Sequence, residues 1–241
     1  MIFVLHAFNC SLITYLPVGM LLLWYYLSIP QRTNSGEPTM ATTKAEAAAA
    51  SKARILEGAQ DLIMSRGYAA MTVDAICQSA GITKGGFFHH FANKEALGEA
   101  VLTKFWADVE ERQAIAPYHA KTNAVEFLEG YIDHAILSYQ DPKLQQGCML
   151  AIFTMELAES NQALFEIAST HFATWRKELI EMFNKVAEQT GQSIDAQTWS
   201  DFYISTLEGA LLLAKASGDP KSITRSLTLY KKLLIDSISK S

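Results

Sequence analysis

"AGITKGGFFHHFANKEAL", residues 80–97, sets Gly85 and Gly86 before four consecutive rings, Phe87 to His90, and brackets them with Lys84 and Lys94. Upstream, Ile55, Leu56, Ala59, Leu62 and Ile63 recur at helical spacing over residues 52–66, and Gly67 fits a C-cap. Thr72 fits an N-cap and Asp74 the first turn, where the helix dipole favours a carboxylate. "VDAICQSA" follows until Gly81 stops it, Ile82 is an apolar plug, and Thr83 caps a second short helix over 84–91. Two short helices joined through Gly81 form a helix-turn-helix, whose second member enters the DNA major groove.

That geometry explains the rings. Gly85 and Gly86 let the start of the recognition helix approach the phosphate backbone without side-chain bulk, while Phe87 and Phe91, four residues apart, face inward onto the first helix. Phe88, His89 and His90 are left towards DNA, and Lys84 and Lys94 bracket the helix as phosphate contacts, which give affinity without sequence information. With the capping hydroxyls, the expected DNA-binding set is Thr72, Thr83, Lys84, Gly85, Gly86, Phe88, His89, His90 and Lys94. Neighbouring helical histidines cannot grip one metal ion as i, i+4 histidines do, so no metal site is expected.

"ILEGAQDLIMSRGYAAMTVDAICQSAGITKGGFFHHFANKEAL", residues 55–97, resembles the DNA-binding domain of the TetR family of transcriptional regulators along its full length. Gly86 stands where that family usually carries a small hydroxyl residue, and Phe88 where it usually carries a phosphate-binding tyrosine. The resemblance implies a homodimeric, ligand-responsive repressor that releases its DNA operator when a small-molecule effector changes the spacing of its heads.

The formal net charge of −5 argues against a nucleic-acid partner only if charge is uniform, and it is not: residues 44–97 carry a net +1 and residues 98–241 a net −6. An architectural DNA protein would be far more basic. The 241 residues, 49% hydrophobic, return apolar side chains every three or four positions with little β-branched alternation, so the fold class is all-α. A three-helix helix-turn-helix domain at 44–97 precedes a six-helix ligand-binding and dimerisation domain at 98–241. Cys10, Cys77 and Cys148 share no metal-ligand spacing, and an odd count suits a reducing cytoplasm. No nucleophile elbow, phosphate loop, HExxH or carboxylate pair with a histidine partner appears, so neither an enzyme nor a cofactor is expected.

Residues 1–39 form an apolar N-terminal extension. Residues 2–29 contain no Asp, Glu, Lys or Arg, which reads as a membrane anchor. Met40 opens a normal soluble start, which reads residues 1–39 as translated upstream DNA. The membrane is a partner only if residues 1–29 are translated, and on that reading the alternative is a membrane-tethered helical ligand sensor.

Beyond Leu97, breaks at Pro117, Asp141-Pro142, Gly191 and Gly218-Asp219-Pro220 predict helices over 98–114, 121–140, 143–159, 161–190, 196–217 and 220–239. "AEAAAAS", residues 45–51, reads as an extension of the first helix. Leu207, Ala210, Leu211 and Ala214, with Ile223, Leu227, Tyr230 and Leu234, make two matching stripes, assigned either to a dimer interface or to an ordinary buried hairpin. Trp106, Phe153, Phe172, Trp175, Phe202 and Tyr203 supply the aromatic walls a small-ligand pocket would use, each singly reading as core packing, and an effector pocket among them is what the TetR resemblance implies. Cys148 joins that set: "GCMLAIFTMELAES", residues 147–160, resembles a segment of a TetR subgroup that includes sensors of reactive electrophiles, and near a helix start the dipole can lower a thiol pKa, so Cys148 reads as a redox or electrophile trigger or, alternatively, as a small buried hydrophobe.

Overall fold

The computed structural model describes residues 43–239, which form nine α-helices, two short 3-10 turns and no strands. Residues 1–42, and with them the readings of an anchor or an upstream translation, lie outside the described residues. No helix among the described residues is long and apolar enough to cross a membrane.

Helix α1 spans Lys44–Arg66 and so includes the alanine-rich stretch. Thr43 and Glu46 close a reciprocal capping box at its start, which holds eight residues of weak amphipathicity in the helix ahead of Lys52. Gly67 ends it at φ 84°, a left-handed conformation that a side chain would strain. Helices α2 (Val73–Ala80) and α3 (Lys84–His90) follow, with Gly81 at φ 63° turning the chain between them.

Helix α4, Lys94–Ala114, starts four residues earlier than the apolar pattern predicts, because the Asn93 side chain accepts from the Ala96 amide and caps it there. The expected boundary between residues 97 and 98 therefore falls within a continuous helix. Asn123 likewise starts α5 at Ala124, and it ends at Ser138. The predicted helix 143–159 is split: Gly147, at φ 137°, separates a 3-10 turn at Leu144–Gln146 from α6, Met149–Leu157. Helices α7 (Gln162–Thr190), α8 (Ala196–Ser217) and α9 (Lys221–Ser239) complete the chain.

Two apolar cores organise these helices. In the first, Ile55, Ile63, Ile76, Phe87 and Leu97 of the head pack with Phe153 and Leu157 of α6 and Leu164 of α7. Gly98 gives Tyr68 room there, since a Cβ would lie 2.8 Å from the tyrosine ring. The second core joins α5, the C-terminal part of α7, α8 and α9. Leu207, Ala210, Leu211, Ala214, Ile223, Leu227, Tyr230 and Leu234 are all buried in it, which corrects their assignment to a dimer interface. Apolar periodicity marks the face turned to the chain's own core first, because that face loses most water. The exposed large apolar residues of α8 and α9 are Phe202, Leu212, Leu213, Leu229 and Leu233.

Candidate DNA-binding head and effector cavity

The helix-turn-helix is fixed from both sides. Thr72 and Thr83 accept hydrogen bonds from Ala75 N at 3.2 Å and Gly86 N at 3.1 Å, so both hydroxyls serve as caps. Phe87 and Phe91 are buried with ring centroids 6.0 Å apart. Arg54, which sequence reasoning missed, ties α1 to the end of α2 by donating from Nε to the Ala80 carbonyl at 3.1 Å.

Phe88 is 55% exposed and His89 is exposed beside it. His90 differs from expectation: it is only partly exposed, and its Nε2 lies 3.1 Å from Ser51 Oγ on α1. It sits one position, about 100°, further round the helix than His89, which turns its ring back onto α1. Burial, with His89 and Lys52 nearby, holds its pKa below the usual histidine value.

The two lysines also differ. Lys84 is exposed and pairs with Asp74 at 2.8 Å, which raises its pKa. Lys94 donates to the Ala69 carbonyl at 3.2 Å and lies 4.3 Å from the centroid of the Tyr68 ring, so its ammonium is engaged within the head rather than left free for phosphate. Burial holds its pKa below the usual lysine range, against the charges of Glu95 and Glu156. Gly85 and Gly86 meet no crowding inside the chain: a Cβ at either would be in ordinary contact with Thr83.

Between α4, α5, α7 and α8 lies a cavity of about 410 Å³. Of the residues predicted for a ligand pocket, Trp106, Cys148, Trp175 and Tyr203 line this cavity. The other three predicted wall residues do not: Phe153 is buried 4.9 Å from the Tyr68 ring, Phe172 lines a separate hollow beside Arg176, and Phe202 is exposed. Among the missed walls are three tyrosines, Tyr118, Tyr131 and Tyr139, with Phe105, Phe127 and Met182. Trp175 donates from Nε1 to the Tyr131 hydroxyl at 2.9 Å, the Tyr131 and Tyr203 ring centroids lie 5.6 Å apart, and Tyr118 and Tyr139 also line the cavity. Only Tyr131 lies on α5; Tyr118 sits in the 3-10 turn before it, Tyr139 caps its end and Tyr203 lies on α8, so no single periodicity marked the four.

Cys148 is the N-cap residue of α6, yet burial pushes its thiol well above the usual value, with the Glu208 carboxyl adding to the shift. Desolvation outweighs the two amide hydrogen bonds at the helix start, which corrects the expected lowering. Burial also raises the pKa of Glu208, a carboxyl flanked by Leu207 and Leu211 that the sequence reading passed over.

The cavity and the head share elements. Lys215 of α8 donates to the Met64 carbonyl in the last turn of α1 at 3.1 Å. Glu156 of α6 accepts from the Ala69 amide at 2.8 Å.

Residues 55–101 match the family model described as bacterial regulatory proteins of the tetR family, and residues 124–226 match that of the LmrA/YxaF-like transcriptional regulator C-terminal domain. The chain belongs to the TetR family of transcriptional regulators. Among its TetR relatives, the HTH-type transcriptional repressor DhaR of Mycobacterium sp. (strain GP1) is 26% identical over 189 residues, 76% of this chain and 91% of DhaR. A TetR-family regulator from Agrobacterium tumefaciens superposes with a TM-score of 0.69 at 21% identity, covering 77% of this chain and 97% of its own. Reduced NemR from Escherichia coli superposes with a TM-score of 0.63 at 19% identity, covering 76% and 95%. These likenesses establish the TetR fold, and the TetR family is one of transcriptional regulators, not of enzymes.

Proposed function

We propose that the protein is a homodimeric repressor that binds operator DNA through α3 and releases it when a small molecule enters the α4–α8 cavity. The observation that carries this reading is that the cavity walls and the head are held by the same helices. Helix α8 carries Tyr203 and Glu208 into the cavity and Lys215 onto α1. A ligand that shifts α8 moves the end of the helix that supports α2 and α3. That is a stated route for coupling rather than distance alone.

Dimerisation is supported by the exposed leucines of α8 and α9. Leu212, Leu213, Leu229 and Leu233 are each more than two-fifths exposed, and Gly209 opens onto free space on α8. Two heads related by a two-fold axis read two half-sites. Sedimentation of the full chain tests this: the parent is expected to run as a dimer, and Leu213→Glu with Leu229→Glu as a folded monomer with at least a tenfold loss of operator affinity. A parent that runs as a monomer while binding the operator overturns the dimer reading.

A further inference from the structure

Among the described residues, three buried side-chain polar atoms lack a hydrogen-bond partner: the hydroxyls of Tyr68 and Thr154, and Oε1 of Glu208. Of these residues only Glu208 lines the cavity. A carboxyl oxygen withdrawn from water without a donor is costly, so it is either tolerated for a role or satisfied by something that arrives. Its neighbour, the Cys148 thiol, is a weak donor.

The surroundings select what would arrive. The cavity's charged lining comprises Glu110, Glu178, Glu181 and Glu208 against Arg112 and Lys185, an excess of carboxylates. Burial, and the like charges of Glu110 and Glu181, raise the pKa of Glu178, so negative charge is already crowded on that wall. The rings of Trp106, Trp175 and Tyr203 add π faces, which attract cations within about 6 Å. An anion would meet repulsion from this lining, and a neutral molecule would gain only the one hydrogen bond. The volume lies in the range of roughly 300–1,000 Å³ that small-molecule sites occupy.

We propose that the cavity takes a small organic cation, a protonated amine on an aromatic or apolar body, whose N–H groups donate to the Glu208 carboxyl while the ring walls hold the body. The proposal rests on the cavity being the effector site, and it names the effector's chemical class. The amine's charge meets Glu208 at one end and the α7 carboxylates along the wall. Its body replaces water against apolar surface.

Calorimetric titration of the full chain with tryptamine, tryptophol and indole-3-propionate tests this, because the three share one ring system and differ in charge. Tryptamine is expected to bind at least tenfold more tightly than either of the others. Glu208→Gln is expected to cost tryptamine at least tenfold and to leave tryptophol within threefold. A ranking in which tryptophol or indole-3-propionate equals or exceeds tryptamine, or no binding of tryptamine, overturns the proposal on the unaltered protein, whether or not the variant folds. Unchanged tryptamine affinity in a folded Glu208→Gln protein overturns it as well. Adding the same amine to the protein–operator complex separates the two readings: tight binding through Glu208 that leaves the complex intact upholds the cation site and removes the effector role.

Discussion

Lys215 Nζ lies 3.1 Å from the carbonyl oxygen of Met64, joining the last turn of α8 to the last turn of α1. Seven residues earlier, two turns along the same face, Glu208 lines the cavity. The same helix thus touches the cavity at Glu208 and the head at Lys215.

Replacing Lys215 by Met keeps the apolar stem and removes the donor. The expected cost is about 1 kcal/mol, the net worth of one hydrogen bond. Hydrogen exchange at the amides of Ser65, Arg66 and Gly67 is expected to speed up while exchange in α2 and α3 stays as in the parent. Unchanged exchange at all three amides would show that the bond does not hold the end of α1.

Gly67 and Glu156 are coupled across the other junction. Glu156 accepts from Ala69 N at 2.8 Å and occupies the space into which a Gly67 side chain would point. Gly67→Ala is expected to cost about 1–3 kcal/mol from positive-φ strain alone. Added to Glu156→Ala, the same change is expected to cost less, because the displaced carboxylate is gone. Thermal or urea unfolding of the two single variants and the double variant measures the difference, and strict additivity would contradict the contact.

At the head, Lys84 and His89 have different expected signatures. Lys84→Ala weakens operator and random DNA about equally and lowers the salt slope by about 1, because an exposed ammonium supplies phosphate affinity. His89→Ala relaxes base preference, whereas His90→Ala, whose ring is turned to Ser51, changes it less. Binding titrations on a set of operator variants distinguish these, and equal loss of preference from both histidines would contradict the placement of His90.

Acid sensitivity follows from the partly buried histidines. Burial first, then Arg112 and His119, holds His134 below its ordinary value of 6.5. Its unfolded form takes the proton first, so its contribution is complete above about pH 6.5 and is lost as pH falls towards the folded pKa. His171 is also lowered by burial, against the opposing charge of Glu110. Glu178 and Glu208 have the opposite sign: their raised pKa values give stability below the ordinary carboxyl range that is lost as pH rises through the folded values. His134→Gln is therefore expected to lose less stability than the parent between about pH 7 and pH 5.5 in urea titrations. Identical pH slopes would contradict the shift.

The head was readable from sequence because its signals are local. Caps at Thr72 and Thr83, the Gly81 stop and the Phe87–Phe91 spacing each act within one or two turns, and α2 lies where they put it. Such local signals also missed Asn93 and Gly147, single polar or glycine residues that override a continuing apolar pattern. The cavity was half readable. Trp175 and Tyr203 line it, but periodicity alone cannot distinguish a ring packed in core, such as Phe153, from one facing a void. The same limit misassigned the α8 and α9 stripes: burial within a chain and burial between chains leave one pattern. Glu208, a carboxyl inside an apolar run, was visible and is the residue on which the ligand's charge turns.

The central claim is an operator-binding dimer, and the most direct measurement is a footprint of the full chain on the DNA upstream of its own coding sequence at low salt. The account predicts a protected two-fold symmetric site whose half-site centres lie about 34–36 Å apart or at a multiple of that spacing. The same footprint with Leu213→Glu and Leu229→Glu is expected to be lost. Protection of a single asymmetric half-site by the parent, retained unchanged in the doubly substituted protein, would contradict it.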